Sequence, residues 1–402
     1  MTDAPDIFDT LATTAADGAP SMFAALAQSL TARHRWHALF DLRLLEARAA
    51  LGLPLTGDIG AIDEQTRGRL DERSLAACRE AGWPLLEEGH VAAGWMYLRA
   101  AAEPAAVSHK LAELASAPSA DEEAAATRLQ EIVQIALWEG LDPSLGIRLV
   151  LESQGTCNSI TAYEQAISRL PAAGQRQPAG VLVEHLHREL FHSLAADLER
   201  RGLVPRETIA ATASIVGLLD AAGGLHDDPH FHIDVSHLQS VLRIARVCTE
   251  RSVIEKAWEL AVYACRLPDE VTYPGEPPFE NVGESSRLFY AAQLGRDVDD
   301  ALRYFRKAAA LARVEDAGTL PADTLVYLLW RLDRPAEALH AALERPTDQG
   351  MPSVMQAIGM LPSLVDLAVA GNAIDVLREA CRKRGDEITF AATYAADQRT
   401  RN

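Results

Sequence analysis

A short pattern recurs along this sequence: a small residue, three or four further residues, an aromatic or apolar residue, and then a second small residue. Five segments carry it: GWMYLRAA from Gly94, AWELAVYA from Ala257, ALRYFRKA from Ala301, ALHAALER from Ala338 and VLREACRK from Val376. The last four begin at positions 257, 301, 338 and 376, so their starts are 44, 37 and 38 residues apart. Repeats of this length are typical of stacked helical or strand units, because one unit cannot bury its apolar face alone.

The composition indicates that these units are helical. Ala and Leu dominate, whereas aromatic residues make up only 6% of the chain and β-branched residues are sparse, which favours helix over strand. The segments VLRIARVC (241–248) and DALRYFRKAAALA (300–312) place apolar residues at i, i+3, i+4 and i+7. The sequence therefore predicts an all-α fold.

The segments from Ala257 onward resemble the second helix of tetratricopeptide-type repeats. Most of them follow a short turn and an acidic residue, as in LGRDVDDAL, RLDRPAEAL and VAGNAIDVL. The stretch from Leu86 to Pro104 is a weaker match. The turn from Gly295 to Ala301 is one residue longer than the family's, and the spacing exceeds its period of about 34 residues. The resemblance implies an α-solenoid of stacked antiparallel helix pairs with a surface that binds a protein partner.

Breakers divide the chain into three predicted regions: an N-terminal helical region (1–115), a histidine-rich middle region (119–250) and the repeats (251–402). Ser119 and Glu122 have the spacing of a capping box at the start of a helix. The stretches 170–180 and 268–285 are predicted to be non-helical connections, and the second contains four prolines and two glycines.

Charge and motifs exclude several classes of function. The formal net charge of −19 argues against nucleic acid and against anionic membranes as partners. Five scattered cysteines without a CxxC motif are typical of reduced thiols in a cytoplasmic protein. The N-terminus lacks the apolar core of a signal peptide, and the sequence has no phosphate-binding loop, dinucleotide fingerprint or GxSxG motif.

Histidines are concentrated in the middle region, where seven of the 12 in the chain lie between positions 185 and 237. The segment VEHLHRELFHSLAADLERR (183–201) has no breaker and predicts a helix. On that helix His185, Glu189 and His192 are spaced i, i+4 and i+7, which places them on one narrow face.

A second histidine segment, HFHIDVSHL (230–238), repeats this spacing with His230, Asp234 and His237, and adds His232. Two such helices packed face to face would offer imidazoles and carboxylates to a divalent metal ion, and this mixed ligand set suits Zn, Fe or Mn. The spacing requires that this helix begins early, after an Asp228 cap. If Ser236 caps the helix instead, residues 230–234 lie in a loop. A polar helix interface without metal is the alternative to a metal site.

Two further segments have both a structural and a functional interpretation. In QGTCNSIT (154–161), Gly155 is predicted to end a helix, whereas Cys157 is a candidate nucleophile if a histidine lies beside it. The stretch YPGEPPFE (273–280) is predicted to be either a rigid connector or a lid that brings Glu276 and Glu280 to a cavity.

The sequence thus supports two hypotheses. One is a metal-dependent hydrolase or oxygenase that acts on a small-molecule substrate, and the other is a non-catalytic tetratricopeptide-like scaffold for a protein partner.

The metal hypothesis predicts near-stoichiometric Zn, Fe or Mn in protein purified without a histidine tag. His192→Ala should remove that metal with little change in helical content, because only a ligand is lost. Elemental analysis and circular dichroism measure the two quantities, and tag-free protein without metal would contradict the hypothesis.

Overall fold

Six of the described connections between successive helices are turns of one kind. In each turn a residue at or directly after the helix C-cap has a left-handed backbone, with φ between 50° and 86°, and these residues are His34, Gly89, Gly295, Asp333, Asn372 and Gly385. The turn at Gly295 has a second left-handed residue, Asp297, with φ 49°. The N–H of the next residue donates to the carbonyl five positions earlier, at 2.8–3.0 Å. This is the Schellman arrangement, which bonds carbonyls left over at a helix end and stops the helix. The next helix starts within three residues and runs back along the first.

The structure is a computed structural model that describes residues 6–225, 230–346 and 353–401. Within those ranges it contains helices and turns but no strand, so the all-α prediction is confirmed. The chain forms two compact units, Met1–Leu149 and Val150–Asn402.

The first unit contains seven α-helices and a π-helical turn among its described residues: α1 (Ile7–Ala15), α2 (Ala19–Ala32), α3 (Trp36–Ala50), α4 (Glu64–Glu87), α5 (Val91–Leu98), α6 (Pro104–Ser116), α7 (Glu122–Val133) and the turn Gln134–Trp138. Helix α8 (Pro143–Ala166) crosses the boundary between the units.

The described part of the second unit continues with α9 (Ala172–Arg200), α10 (Arg206–Ala211), α11 (Ile215–Ala221), α12 (Val235–Ile244), α13 (Arg251–Ala264), α14 (Val282–Gln293), α15 (Val298–Leu311), α16 (Val314–Ala317), α17 (Leu320–Arg331), α18 (Pro335–Glu344), α19 (Val354–Ala357), α20 (Leu364–Ala370), α21 (Ile374–Arg384) and α22 (Glu387–Arg401). Short 3₁₀ turns lie at Ala245–Val247 and Asp269–Val271.

Neighbouring helices of the second unit pack as pairs. Helix α12 contacts α13, α14 contacts α15, α17 contacts α18, and α20 contacts α21. The four repeat segments predicted to be second helices lie in α13, α15, α18 and α21. Each pair also contacts the next one, through α13 with α14, α15 with α17 and α18 with α20. The prediction of adjacent helix pairs is therefore confirmed.

Small residues in the repeat pattern allow close helix contact. In the first unit, a Cβ placed on Gly94 of α5 would lie 2.9 Å from the backbone nitrogen of Leu86 in α4. Gly94 is buried, and Leu85 of α4 and Tyr97 of α5 lie in the hydrophobic core of this unit. A larger residue at this position would separate the two backbones.

Two boundary predictions were wrong. Residues 172–180 form the start of α9 and are not a connection, because Pro171 precedes the helix and Pro178 is accommodated inside it. Helix α7 is capped by Asp121, whose Oδ1 accepts from the N–H groups of Glu123 and Ala124, and not by Ser119. The stretch 268–281 is non-helical apart from one 3₁₀ turn, as predicted, but α14 already begins at Val282.

The three predicted regions remain a prediction. Among the described helices, none combines the length and the apolar character needed to cross a membrane.

The left-handed residue at Asp333 gives a test of the turn. Asp333→Gly should raise the free energy of unfolding by roughly 0.5 kcal/mol, because glycine adopts this backbone without the Cβ penalty and this gain exceeds its entropy cost. Asp333→Ala should lower it by roughly 1 kcal/mol. Urea unfolding followed by circular dichroism measures both, and equal effects of the two substitutions would contradict the turn geometry.

Candidate functional site

The first histidine segment lies on one continuous helix, α9, as its sequence predicted. His185 Nε2 lies 3.6 Å from Glu189 Oε2, one turn further along the helix, and 3.2 Å from Thr156 Oγ1 of α8. His192 is exposed and contacts the ring of Phe191 edge-on. Burial lowers the pKa of His185, although the nearby Glu189 opposes the shift.

The candidate nucleophile Cys157 follows a kink in α8. The kink is at Gly155, with φ 78° and ψ −179°, so the predicted break in the helix is confirmed. Thr156 is the residue of this segment that contacts His185, whereas Cys157 is exposed. Thr156 and Glu189 both lie against Nε2 of the same imidazole. A catalytic triad needs the nucleophile and the carboxylate on opposite ring nitrogens, so this arrangement is not a triad.

The second histidine segment forms the entrance to α12. Asp234 is the N-cap, and its Oδ1 accepts from the N–H groups of Ser236 at 2.8 Å and His237 at 3.3 Å. Ser236 is therefore not the cap, and Asp228 lies outside the described residues. Because α12 begins at Val235, His230 precedes it, and the helical spacing of His230, Asp234 and His237 is accidental.

His232 is the residue of this segment that reaches α9. It is buried, its Nε2 lies 3.1 Å from Asp197 Oδ2, and its Nδ1 lies 2.9 Å from the hydroxyl of Tyr263 in α13. Arg200 and Arg201 also donate to the carboxylate of Asp197. Burial opposes ionisation of Asp197, but the hydrogen bonds from Arg201, His232 and Arg200 hold its pKa well below its usual range. We call these five residues the His232 network.

The two histidine segments thus meet at the His232 network. The α9 residue that makes the contact is Asp197, five residues after His192. Asp197 and Tyr263 were not singled out from the sequence. His230, which is exposed, lines a cavity of about 250 Å³ beside Asp197 and His232. Nowhere in residues 6–225, 230–346 and 353–401 do three or more His, Cys, Asp or Glu side chains form a group that could hold a metal ion. The metal site at residues 185–237 stays a prediction.

A larger cavity, of about 620 Å³, lies elsewhere in the second unit. Its lining combines apolar side chains with a few polar ones, which is the usual composition of a small-molecule site. We call it the Arg246 pocket; α8, α9, α12, α14, α16, α17 and α19 contribute to it, and its lining is Tyr163, Ser168, Gln175, Arg243, Ile244, Arg246, Val247, Glu276, Phe279, Phe289, Ala317, Gly318, Thr319, Leu320, Asp323, Thr324, Ser353, Val354, Met355, Ile358 and Met360.

Arg246 lies in the 3₁₀ turn that follows α12. Its guanidinium carbon is 3.4 Å from the centroid of the Phe279 ring, a cation–π contact. Its Nε is inaccessible to solvent and finds no hydrogen-bond acceptor among the described residues. Burial lowers the pKa of Arg246 to about 10, an effect that Arg243 reinforces and Glu276 opposes. The group nevertheless stays charged at neutral pH.

The other charged groups of the pocket have different surroundings. Arg243 is exposed and forms an ion pair with Glu164. Asp323 is fully buried, accepts from Arg345 at 3.0 Å, and also accepts from the Thr319 hydroxyl at 2.8 Å. Two arginines line the pocket. Arg243 forms an ion pair, whereas Arg246 forms none among the described residues.

The stretch 273–280 contributes to two cavities. Phe279 is buried beneath Arg246, as expected for a connector packed on the helices, and Glu276 lines the Arg246 pocket. Glu280 instead lines a neighbouring cavity of about 610 Å³. The stretch thus packs on the helices as a connector and brings Glu276 and Glu280 to different cavities, whereas its role as a lid stays a prediction.

Compared with known proteins, the chain matches no family model, no curated protein and no solved structure.

The His232 network predicts a specific pH dependence. A carboxyl whose pKa is depressed by folding stabilises the folded state above its ordinary pKa of about 4, and this stabilisation is lost as the pH falls below that value. Asp197→Asn should therefore lower the free energy of unfolding at neutral pH by roughly 3 kcal/mol. It should also weaken the decline in stability between about pH 5 and pH 3.

Asp375→Asn is the matched control. Asp375 also pairs with an arginine three residues along its helix, but its side chain is 97% exposed, so the change should stay within about 0.5 kcal/mol. Urea unfolding at several pH values measures both variants. Equal effects of the two substitutions at neutral pH would contradict the role assigned to Asp197.

Proposed function

We propose that this chain is a tetratricopeptide-like helical-repeat protein that binds a small molecule in the Arg246 pocket. The observation that carries the proposal is the pocket itself. Its volume of about 620 Å³ is in the range of small-molecule sites, which run from about 300 to 1,000 Å³. Apolar walls with a few fixed polar groups give such sites both affinity and orientation.

The repeat architecture supports the tetratricopeptide-like part of the proposal. Schellman turns precede α15, α18 and α21, and each of these helices packs on the one before it. These turns also have a left-handed residue in the turn where tetratricopeptide-type repeats typically carry glycine. Fold alone does not identify a ligand, so the small-molecule assignment depends on the pocket and not on the repeats.

The polar groups of the pocket favour binding over catalysis. Its described lining contains no histidine and no cysteine. Asp323 is held by Arg345 and Thr319, which makes it a structural acceptor and not a free base. None of the seven predicted metal ligands lines this pocket. The metal-dependent enzyme and the protein-binding scaffold stay predictions.

Filling the pocket with a side chain should abolish ligand binding. Ser168 lines the pocket in the turn directly after α8, is half-buried, and its hydroxyl donates to the carbonyl of Glu164. We expect phenylnaphthylamine, a neutral dye whose fluorescence rises in apolar surroundings, to bind the wild type saturably. Ser168→Trp should weaken this binding by at least about tenfold, because the indole occupies the space of the dye.

Ser116→Trp is the matched control. Ser116 lies at the end of a helix and its hydroxyl also donates to the carbonyl four residues earlier, but it is not in the pocket. Its affinity for the dye should equal that of the wild type. No saturable binding by the wild type, or equal loss in both variants, would refute the proposed function.

A further inference from the structure

We infer that the ligand of the Arg246 pocket is an organic monocarboxylate with an apolar body, whose carboxylate is held by the guanidinium of Arg246. The inference rests on the proposed function and adds the chemical class of the ligand. Three features of the site support it: a cation without a hydrogen-bonded counterion, its fixed orientation, and the ion pairs formed by the neighbouring arginines.

The first feature is the missing partner of Arg246. A cation that is partly removed from water without an acceptor is costly, because the folded protein then replaces neither its hydration shell nor a hydrogen-bonded counterion. Arg246 has an inaccessible Nε with no acceptor among the described residues, and the rest of the side chain lines a cavity. An anion bound in the cavity would not reach Nε, but it would accept from the terminal N–H groups of the guanidinium, for which no described residue is an acceptor, and would supply a hydrogen-bonded counterion.

The second feature is the orientation of the guanidinium. Phe279 covers one face of the group at 3.4 Å and is itself held among Phe289 and Phe305. With one face fixed against an aromatic ring, the N–H groups are presented at the edge of the guanidinium plane. This edge matches the two oxygens of a carboxylate, which arginine binds in a bidentate manner.

The third feature limits the charge of the ligand. Arg243 is paired with Glu164 and Arg345 with Asp323, so neither adds a free positive charge to the site. Glu276 lines the same cavity with a negative charge. Because the cavity has one available cation and also contains the Glu276 carboxylate, each further negative charge on a ligand adds repulsion, which disfavours a diphosphate or a dicarboxylate.

The remaining walls define the body of the ligand. Phe289, Val247, Leu320, Met355 and Met360 are apolar lining residues. Methionine side chains adapt to ligands of different shapes, so an alkyl or aryl body suits these walls. The carboxylate and the apolar body would thus contact different sides of one cavity.

The test compares three probes with the same alkyl chain and different head groups: octanoate, octanol and octylamine. Each is used below its micelle concentration to displace phenylnaphthylamine from the wild-type protein. Octanoate should bind at least about tenfold more tightly than octanol, and octylamine should bind more weakly than octanol. This comparison uses only the wild type, so it does not depend on the folding of a variant.

Arg246→Met then removes the cation and keeps an extended apolar side chain. We expect octanoate to lose at least about tenfold in affinity while octanol changes by less than about threefold. The thermal midpoint of the ligand-free variant should equal or exceed that of the wild type, since a partly buried charge without a hydrogen-bonded counterion is lost. The matched control is Arg296→Met, because Arg296 also lies over an aromatic ring, that of Trp258, but pairs with Glu255 and does not line the pocket; it should leave the preference for octanoate unchanged.

The outcomes separate this inference from the proposed function. Equal affinities for octanoate and octanol in the wild type, or an unchanged preference for octanoate in Arg246→Met, would overturn the carboxylate assignment. In either case saturable dye binding would still support the pocket as a small-molecule site. Absence of dye binding would refute the proposed function before the head groups are compared.

Discussion

The reversal of the chain at a left-handed residue directly after a helix C-cap is the constraint on which this architecture depends. At Gly295, Asp333 and Asn372 the turn is so short that the two flanking helices must lie side by side and antiparallel. Each pair then has an apolar face that it cannot bury alone, and the next pair covers it. Between α15 and α17, and again between α18 and α20, a helix of a single turn is inserted (α16 and α19). Both inserted helices line the Arg246 pocket, so the cavity lies where the simple alternation of paired helices is interrupted.

The sequence was sufficient for features that depend on local periodicity. Helices α13, α15, α18 and α21 were located from the spacing of small and apolar residues, because 3.6-residue periodicity and short turns act within one segment. Helix ends were less predictable. Ser119 and Ser236 each had the spacing of a capping box, but Asp121 and Asp234 cap the helices. Aspartate and serine are nearly equivalent N-caps, so tertiary packing decides between them.

The histidine region illustrates how a small local choice determines a site. The face shared by His185, Glu189 and His192 follows from the continuity of α9 and was predictable. Whether the second segment presents a similar face depends on the start of α12, and the cap at Asp234 leaves His230 outside the helix. What joins the two segments is a long-range contact between His232 and Asp197. Helical periodicity carries no information about a pair 35 residues apart, so neither Asp197 nor Tyr263, the other partner of His232, could be identified from the sequence.

Arg246 could not be identified from the sequence either, since an arginine in VLRIARVC is compatible with the solvent-facing side of an amphipathic helix. It is half-buried, because Phe279, from a distant non-helical stretch, packs over its guanidinium. Elsewhere this chain pairs its buried charges: Asp197 with His232 and two arginines, Glu259 with His187 and the N–H of Ile215, and Asp323 with Arg345. Arg246, by contrast, forms no ion pair among the described residues, and this lowers the stability of the folded protein. Such local losses of stability are typical of binding sites, where the ligand completes the interaction.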